Sequence, residues 1–235
     1  MVSAHVAIVK FILSLQLGFS KPQMRHLTSM VNGIILCEGR KNISIIREAS
    51  GKERHLSSTT RFLNESPWSV NRMQKRRMER VMQAIRKAPN NRGKRTVFLL
   101  IDDTSWEGKF DADVCPFCIV CTDLSMDFVT ILSYYRIRWH IETGYRYFKE
   151  MIGFDQYQLL SFKGINRYWA IQFLTQNLLE LQRMKWSKPS TKLTLGDVVR
   201  RFRHEHRGQM LLYVFEQAMQ KKPLFDILRD LKMIS

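Results

Sequence analysis

YYRIRWHIETGYRYFKEMIGF, residues 134–154, is the stretch on which the reading of this chain turns. Tyr135, Arg138, Glu142 and Lys149 follow one another at spacings of three, four and seven residues, which places them on one narrow stripe of an α-helix. Ile137, Ile141, Phe148 and Ile152 form a neighbouring apolar stripe. The spacing predicts a long helix from about Met126 to Ile152, capped by Ser125. Such a helix docks by its apolar side and holds one carboxylate at the edge of its buried face. An ion-pair ladder between Arg138 and Glu142, four residues apart, is the plainer alternative. Ile137 and Trp139 flank Arg138, and the helix has few other acids, so a fully solvated ladder is the less natural of the two.

Upstream, the period changes. Thr96–Ile101 (TVFLLI) is a continuous apolar, β-rich run that suits a strand buried on both faces. It ends in Asp102, Asp103 and Thr104. A carboxylate beside apolar neighbours is costly unless it is paired or bound to a metal, so this strand end reads as a turn cap or a metal ligand. A second strand is predicted from Cys115 to Thr122. Downstream, apolar periodicity over Ile165–Leu181, Leu195–Phe202 and Leu211–Met219 reads as helical.

The N-terminal third also reads as helices. Ala4–Phe19 is apolar but interrupted by Lys10 and Gln16, which suits a core helix rather than a signal peptide. Gln23–Cys37 has helical spacing and Gly39 follows as a stop, Asn42 caps a helix through Ala49 that Gly51 ends, and Ser57 caps another through Asn64. Two short helices joined by a Gly-containing turn are compatible with a helix-turn-helix whose second helix presents Ser58, Thr59, Arg61 and Asn64 to a DNA groove, and equally with an ordinary helical hairpin. After a break at Pro67, residues 71–95 hold ten basic side chains (Arg72, Lys75, Arg76, Arg77, Arg80, Arg86, Lys87, Arg92, Lys94 and Arg95) against one acid, Glu79. A solvated helix usually mixes signs, so the one-sided charge points to a phosphate-tracking surface.

Composition agrees with that surface. The chain has 235 residues, 38 Lys plus Arg against 21 Asp plus Glu, and a net charge of +17, so a polyanionic partner is favoured. Four cysteines, with Cys115, Cys118 and Cys121 clustered, do not make a secreted disulfide framework and suit a reducing cytoplasm. The cluster has no fourth ligand at matching distance for zinc. No targeting signal and no membrane partner are expected.

The residues quoted above resemble those of the RNase-H-fold DDE transposases of the insertion-sequence-four superfamily, carried by bacterial insertion sequences. That family's signature is Tyr, two residues, Arg, three residues, Glu, six residues, Lys, and Tyr135, Arg138, Glu142 and Lys149 match it at every spacing. LLIDDT resembles the family's first acidic motif, with Asp103 as the ligand, and VCTDLSMDFVTIL resembles the entry to the Glu helix. The resemblance implies an α+β to mainly α chain: a helical DNA-binding region over 1–90, an RNase-H-like catalytic core over 94–163 and a helical C-terminal region over 164–235. It implies Asp103 and Glu142 as ligands of Mg²⁺ or Mn²⁺, Arg138 and Lys149 on phosphates and Tyr135 assisting them. It also implies double-stranded DNA at the element's terminal repeats as partner, with self-association or pairing with intact transposase, in the bacterial cytoplasm at the nucleoid.

One part of the pattern is missing. The family places a second Asp on another strand between the first Asp and the Glu, but only 38 residues separate Asp103 from Glu142. That leaves room for about one strand and its turns, so the core reads as truncated near Lys109–Asp113, with Asp111 or Asp113 as the only substitutes for the lost carboxylate. Two functions follow: a transposase whose catalysis is defective, or a non-catalytic DNA-binding remnant.

Overall fold

A computed structural model describes residues 4–51, 55–87, 125–231 and 233. The chain divides into two compact units, one formed by residues 1–88 with 147–235 and the other by 89–146. The two expected strands, over 96–101 and 115–122, lie outside the described residues, and among those residues only helices and one isolated bridge, Lys188–Thr191, occur.

The first unit begins with α1 (Val6–Ser14), α2 (Lys21–Leu36), α3 (Ile43–Ala49), α4 (Leu56–Asn64) and α5 (Val70–Lys87). Local chemistry sets their ends. Ser20 and Gln23 form a reciprocal capping box at the start of α2. The Asn42 side chain accepts from the Ile45 amide at 2.9 Å and starts α3 as expected. Gly51, at φ +84°, follows the end of α3 in the left-handed region that favours glycine. Three expectations are corrected. The α1 helix is shorter than the apolar stretch that contains it. The α2 helix ends at an extended Cys37, ahead of Gly39. His55, not Ser57, caps α4, its ring accepting from the Ser57 amide.

The rest of this unit comprises the end of α7 (Trp139–Ile152), then α8 (Phe162–Trp186), α9 (Leu195–Met219) and α10 (Leu224–Asp230). The separate periodic runs in the sequence thus fuse into two 25-residue helices. α8 is the centre, because α2, α4, α5 and α9 all pack against it. Its buried residues run around most of its circumference, including Tyr168, Ile171, Leu174, Leu178 and Leu179, as expected of a helix covered on several sides. Each fully buried Leu or Ile contributes about 1.5–3 kcal/mol relative to exposure.

Polar side chains of α8 clasp the ends of other elements. Buried Arg167 donates to the carbonyls of Leu63 at 2.9 Å and Trp68 at 2.6 Å, and its guanidinium lies 4.5 Å from the Trp68 ring centroid. One turn along, Gln172 donates to the carbonyls of Ile152 (3.1 Å) and Gly153 (2.8 Å), closing the end of α7. Tyr168 donates to the Lys41 carbonyl at 2.6 Å, in the α2–α3 connection. Burial pushes the Tyr168 hydroxyl above its usual range, so it stays a protonated donor.

Lys41 is a buried amine, 2% exposed. Its Nζ donates to the Cys37 carbonyl at 2.8 Å, an acceptor shared with Arg203 of α9, so cations close the C-terminal end of α2. Burial pulls the Lys41 amine below its usual 10.5, Cys37 opposes that, and Arg203 adds to it. The folded state therefore gives up this proton at lower pH than the unfolded chain does. The stability linked to that release is complete above 10.5 and is lost as pH falls through the lowered value. Denaturant titrations of the parent and Lys41→Met should show the parent gaining stability relative to the variant as pH rises from neutral toward 10.5. Parallel curves would remove Lys41 as the cause.

Candidate functional site

The described part of the second unit contains α6 (Phe128–Tyr135), a single 3-10 turn (Arg136–Arg138) and α7 up to Arg146. The long helix expected over this stretch is therefore divided. Asp127, not Ser125, caps α6: its carboxylate accepts from the Thr130 amide at 2.9 Å and the Thr130 hydroxyl at 2.6 Å. Those hydrogen bonds, led by the hydroxyl's, hold the Asp127 carboxyl below the usual range. Asp127 thus has a local structural role that fits the helix-entry motif.

The 3-10 turn falls inside the Tyr–Arg–Glu spacing but leaves the three side chains together. Arg138 Nη2 donates to Glu142 Oε1 at 2.8 Å, and the Arg138 guanidinium lies 5.6 Å from the Tyr135 ring centroid. Both members of the ion pair are partly exposed, at 37% and 41% of their side chains, where such a pair contributes under about 1 kcal/mol to stability. The cluster presents a guanidinium and a carboxylate to solvent side by side. Lys149 is exposed in the last turn of α7 and belongs to the first unit. Of the neighbouring apolar stripe, Phe148 and Ile152 are buried, whereas Ile137 and Ile141 are half-buried.

Asp103 lies outside the described residues, as do Asp111, Asp113 and the three clustered cysteines. Among the described residues no three His, Cys, Asp or Glu side chains come together in a metal-holding group. Glu142 is the one carboxylate of the expected ligand set among them, and Arg138 already engages its Oε1. These residues alone do not fit a two-ion centre.

The α3–α4 pair has the order expected of a helix-turn-helix, but α4 does not present all four expected residues outward. Arg61 is exposed and Ser58 partly exposed. Thr59 is buried, its hydroxyl donating to the His55 carbonyl. Asn64 turns toward α8: its Oδ1 is buried without a hydrogen-bond partner and sits where a Cβ on Gly164 would lie, 2.2 Å away. The physical reason is that α4 packs on α8, so the two side chains on its inner face serve packing.

On α5 the basic residues divide in the same way. Lys75 is exposed, and Arg76 pairs with Glu79 at 3.1 Å. The exposed Arg72 has its guanidinium against Gly18, where an added Cβ would lie 2.8 Å from Nη2. Arg77 turns inward, donating to Gln74 at 2.7 Å with its guanidinium 5.4 Å from the Phe173 ring centroid. Arg80 and Lys87 line a groove of about 610 Å³ between α1, α5 and α8, together with Lys10 and Lys185. Lys10 stood out in the sequence only as an interruption of an apolar stretch, and Lys185 only as one of the basic residues near the end of α8, with Arg183 and Lys188 as neighbours. Only the packing of α1 and α8 beside α5 brings the two together with Arg80 and Lys87.

No helix among the described residues is long and apolar enough to cross a membrane. No curated protein and no solved structure matches the chain. The sequence model of a family described as DDE superfamily endonuclease matches residues 14–119, which runs from the end of α1 past Asp103 and stops short of Glu142. That match supports a DDE-type transposase family for this chain.

Proposed function

We propose that this chain derives from an insertion-sequence transposase of the DDE class, of the insertion-sequence-four superfamily, and that it binds DNA without completing strand transfer. The observation that carries this reading is the 38-residue interval between Asp103 and Glu142. It leaves room for about one strand, which the predicted Cys115–Thr122 run takes and which carries no Asp, so the strand that bears a second Asp is missing while the helix signature is kept. Two-ion phosphoryl transfer needs ions held on both the attacking and the leaving oxygen, and two carboxylates leave one ion poorly held. Lys149 and the basic side chains of α5 need no metal to meet phosphate. The proposed arrangement is a DNA-binding region over 1–90, a truncated RNase-H-like core over 94–163 and a helical C-terminal region over 164–235. It would act in the bacterial cytoplasm on the element's terminal repeats, alone or paired with intact transposase.

The match from residue 14 to 119 supports the nuclease lineage, and the intact Tyr135–Arg138–Glu142–Lys149 spacing is what would favour retained transposase activity instead. One experiment separates them. The purified full chain is incubated with duplex DNA carrying the flanking inverted repeats, with Mg²⁺ or Mn²⁺, and both retention and strand nicking are scored. Retention without nicking is expected; nicked or joined ends would establish the working enzyme.

A further inference from the structure

The groove between α1, α5 and α8 gathers four cations and, among the described residues, no acid. Its lining includes Lys10 from α1, Arg80 and Lys87 from α5 and Lys185 from α8, over a floor that includes Phe11 and Leu181. None of the four cations has an ion pair or side-chain hydrogen bond among the described residues. Like charges held along one trough repel each other. A fold gains nothing from this arrangement by itself. An anion laid along the trough relieves it.

The shape and position of the charges select the kind of anion. Lys10, Lys87 and Lys185 are exposed and Arg80 half-buried, so their stems line the walls while their charged heads stay at the rim. A small anion would need donors converging on one point. Four cations contributed by three different helices suit a polymer that carries one charge per unit. A concave trough also fits the edge of a strand better than a flat bilayer. Arg80 and Lys87 lie seven residues apart on α5, on the same stripe as the inward-turned Arg77. The trough is therefore continuous with the basic helix already assigned to DNA.

We propose that this groove seats a phosphodiester backbone of DNA, with Lys10 and Lys185 as phosphate contacts that extend the basic face of α5 across α1 and α8. The proposal rests on the DNA-binding reading above. Its test uses the full chain, a mixed-sequence duplex and the double variant Lys10→Gln/Lys185→Gln, with affinity measured over a range of salt. Each phosphate contact adds about 0.9 to the slope of log affinity against log salt, so the variant should lose about 1.8 of that slope while its melting curve stays unchanged. Met184→Glu, which sets a carboxylate at the same rim where Met184 is 51% exposed, should weaken binding as well. An unchanged slope in a variant of a chain that binds DNA overturns the groove assignment and leaves the DNA-binding reading standing. A parent chain that fails to bind the duplex overturns both. If the variant instead loses binding to phosphatidylserine vesicles with its DNA slope intact, the trough serves an anionic surface and the proposal fails.

Discussion

Arg167→Ala should lower the free energy of unfolding by about 4 kcal/mol. Arg167 is 4% exposed and donates to two carbonyls, those of Leu63 and Trp68, which belong to the end of α4 and the turn that leads into α5. Removing it leaves two buried acceptors without their charged donor, at about 1.5–3 kcal/mol for each such hydrogen bond. It also removes the guanidinium from the face of Trp68, a contact of about 2 kcal/mol when desolvated. The three losses overlap, since all depend on one group being held in one place, so they do not simply add. Arg167→Lys should recover only a small part, because an ammonium reaches one carbonyl and not both. Urea titrations with a common m-value measure this directly. A loss below about 1 kcal/mol for Arg167→Ala would mean that water or another donor satisfies both carbonyls.

The second large effect is a contrast between two helix glycines. A Cβ added at Gly33 of α2 would lie 2.1 Å from the carbonyl oxygen of Ile46 and 2.8 Å from its Cγ2. The close neighbour is backbone, which cannot rotate away, so α2 and α3 must part and the fully buried Val31, Ile34 and Ile46 around them lose contact. Gly33→Ala should therefore cost about 3 kcal/mol, even after the gain of about 1 kcal/mol that alanine brings to a helix interior. Gly208, in the middle of α9, meets nothing within 4 Å. Gly208→Ala should stabilise the protein by about 0.5–1 kcal/mol, which is the helix propensity alone. Measured side by side, the two variants should move the melting temperature in opposite directions. Equal shifts would show that α2 and α3 do not approach each other as closely as described.

How much of this could be read in the sequence depended on the distance over which each residue acts. Asn42 and Gly51 were readable as the start of α3 and the stop after it, because a cap and a left-handed turn involve only neighbours. Ser57 was displaced as the cap of α4 because His55 also offers an acceptor two residues earlier, and side-chain nitrogen is not part of the usual cap vocabulary. The Arg138–Glu142 pair was visible at its four-residue spacing but as the less natural of two readings, and the 3-10 turn that contains Arg138 was not visible. Arg167, Tyr168 and Gln172 looked like ordinary polar interruptions of an apolar helix. The partners of Arg167 and Tyr168 lie about a hundred residues earlier in the chain, beyond the reach of any periodicity. The same limit explains Thr59 and Asn64. The sequence shows which residues share a face of α4 but not that this face meets α8.

The place of α8 has a consequence for how the protein is made. α2, α4 and α5 are complete in the chain by Lys87, but the helix they pack against runs from Phe162 to Trp186. At about 5–20 residues per second, translation takes about 5–20 s to pass from the end of α5 to the end of α8. During that interval the sides of the three early helices that meet α8 lack that partner, and the contacts that complete the unit span long stretches of sequence, which slows folding. The nascent N-terminal segment is therefore a natural client for ribosome-associated chaperones, and a ribosome that stops before residue 162 releases a product whose inner faces stay wet.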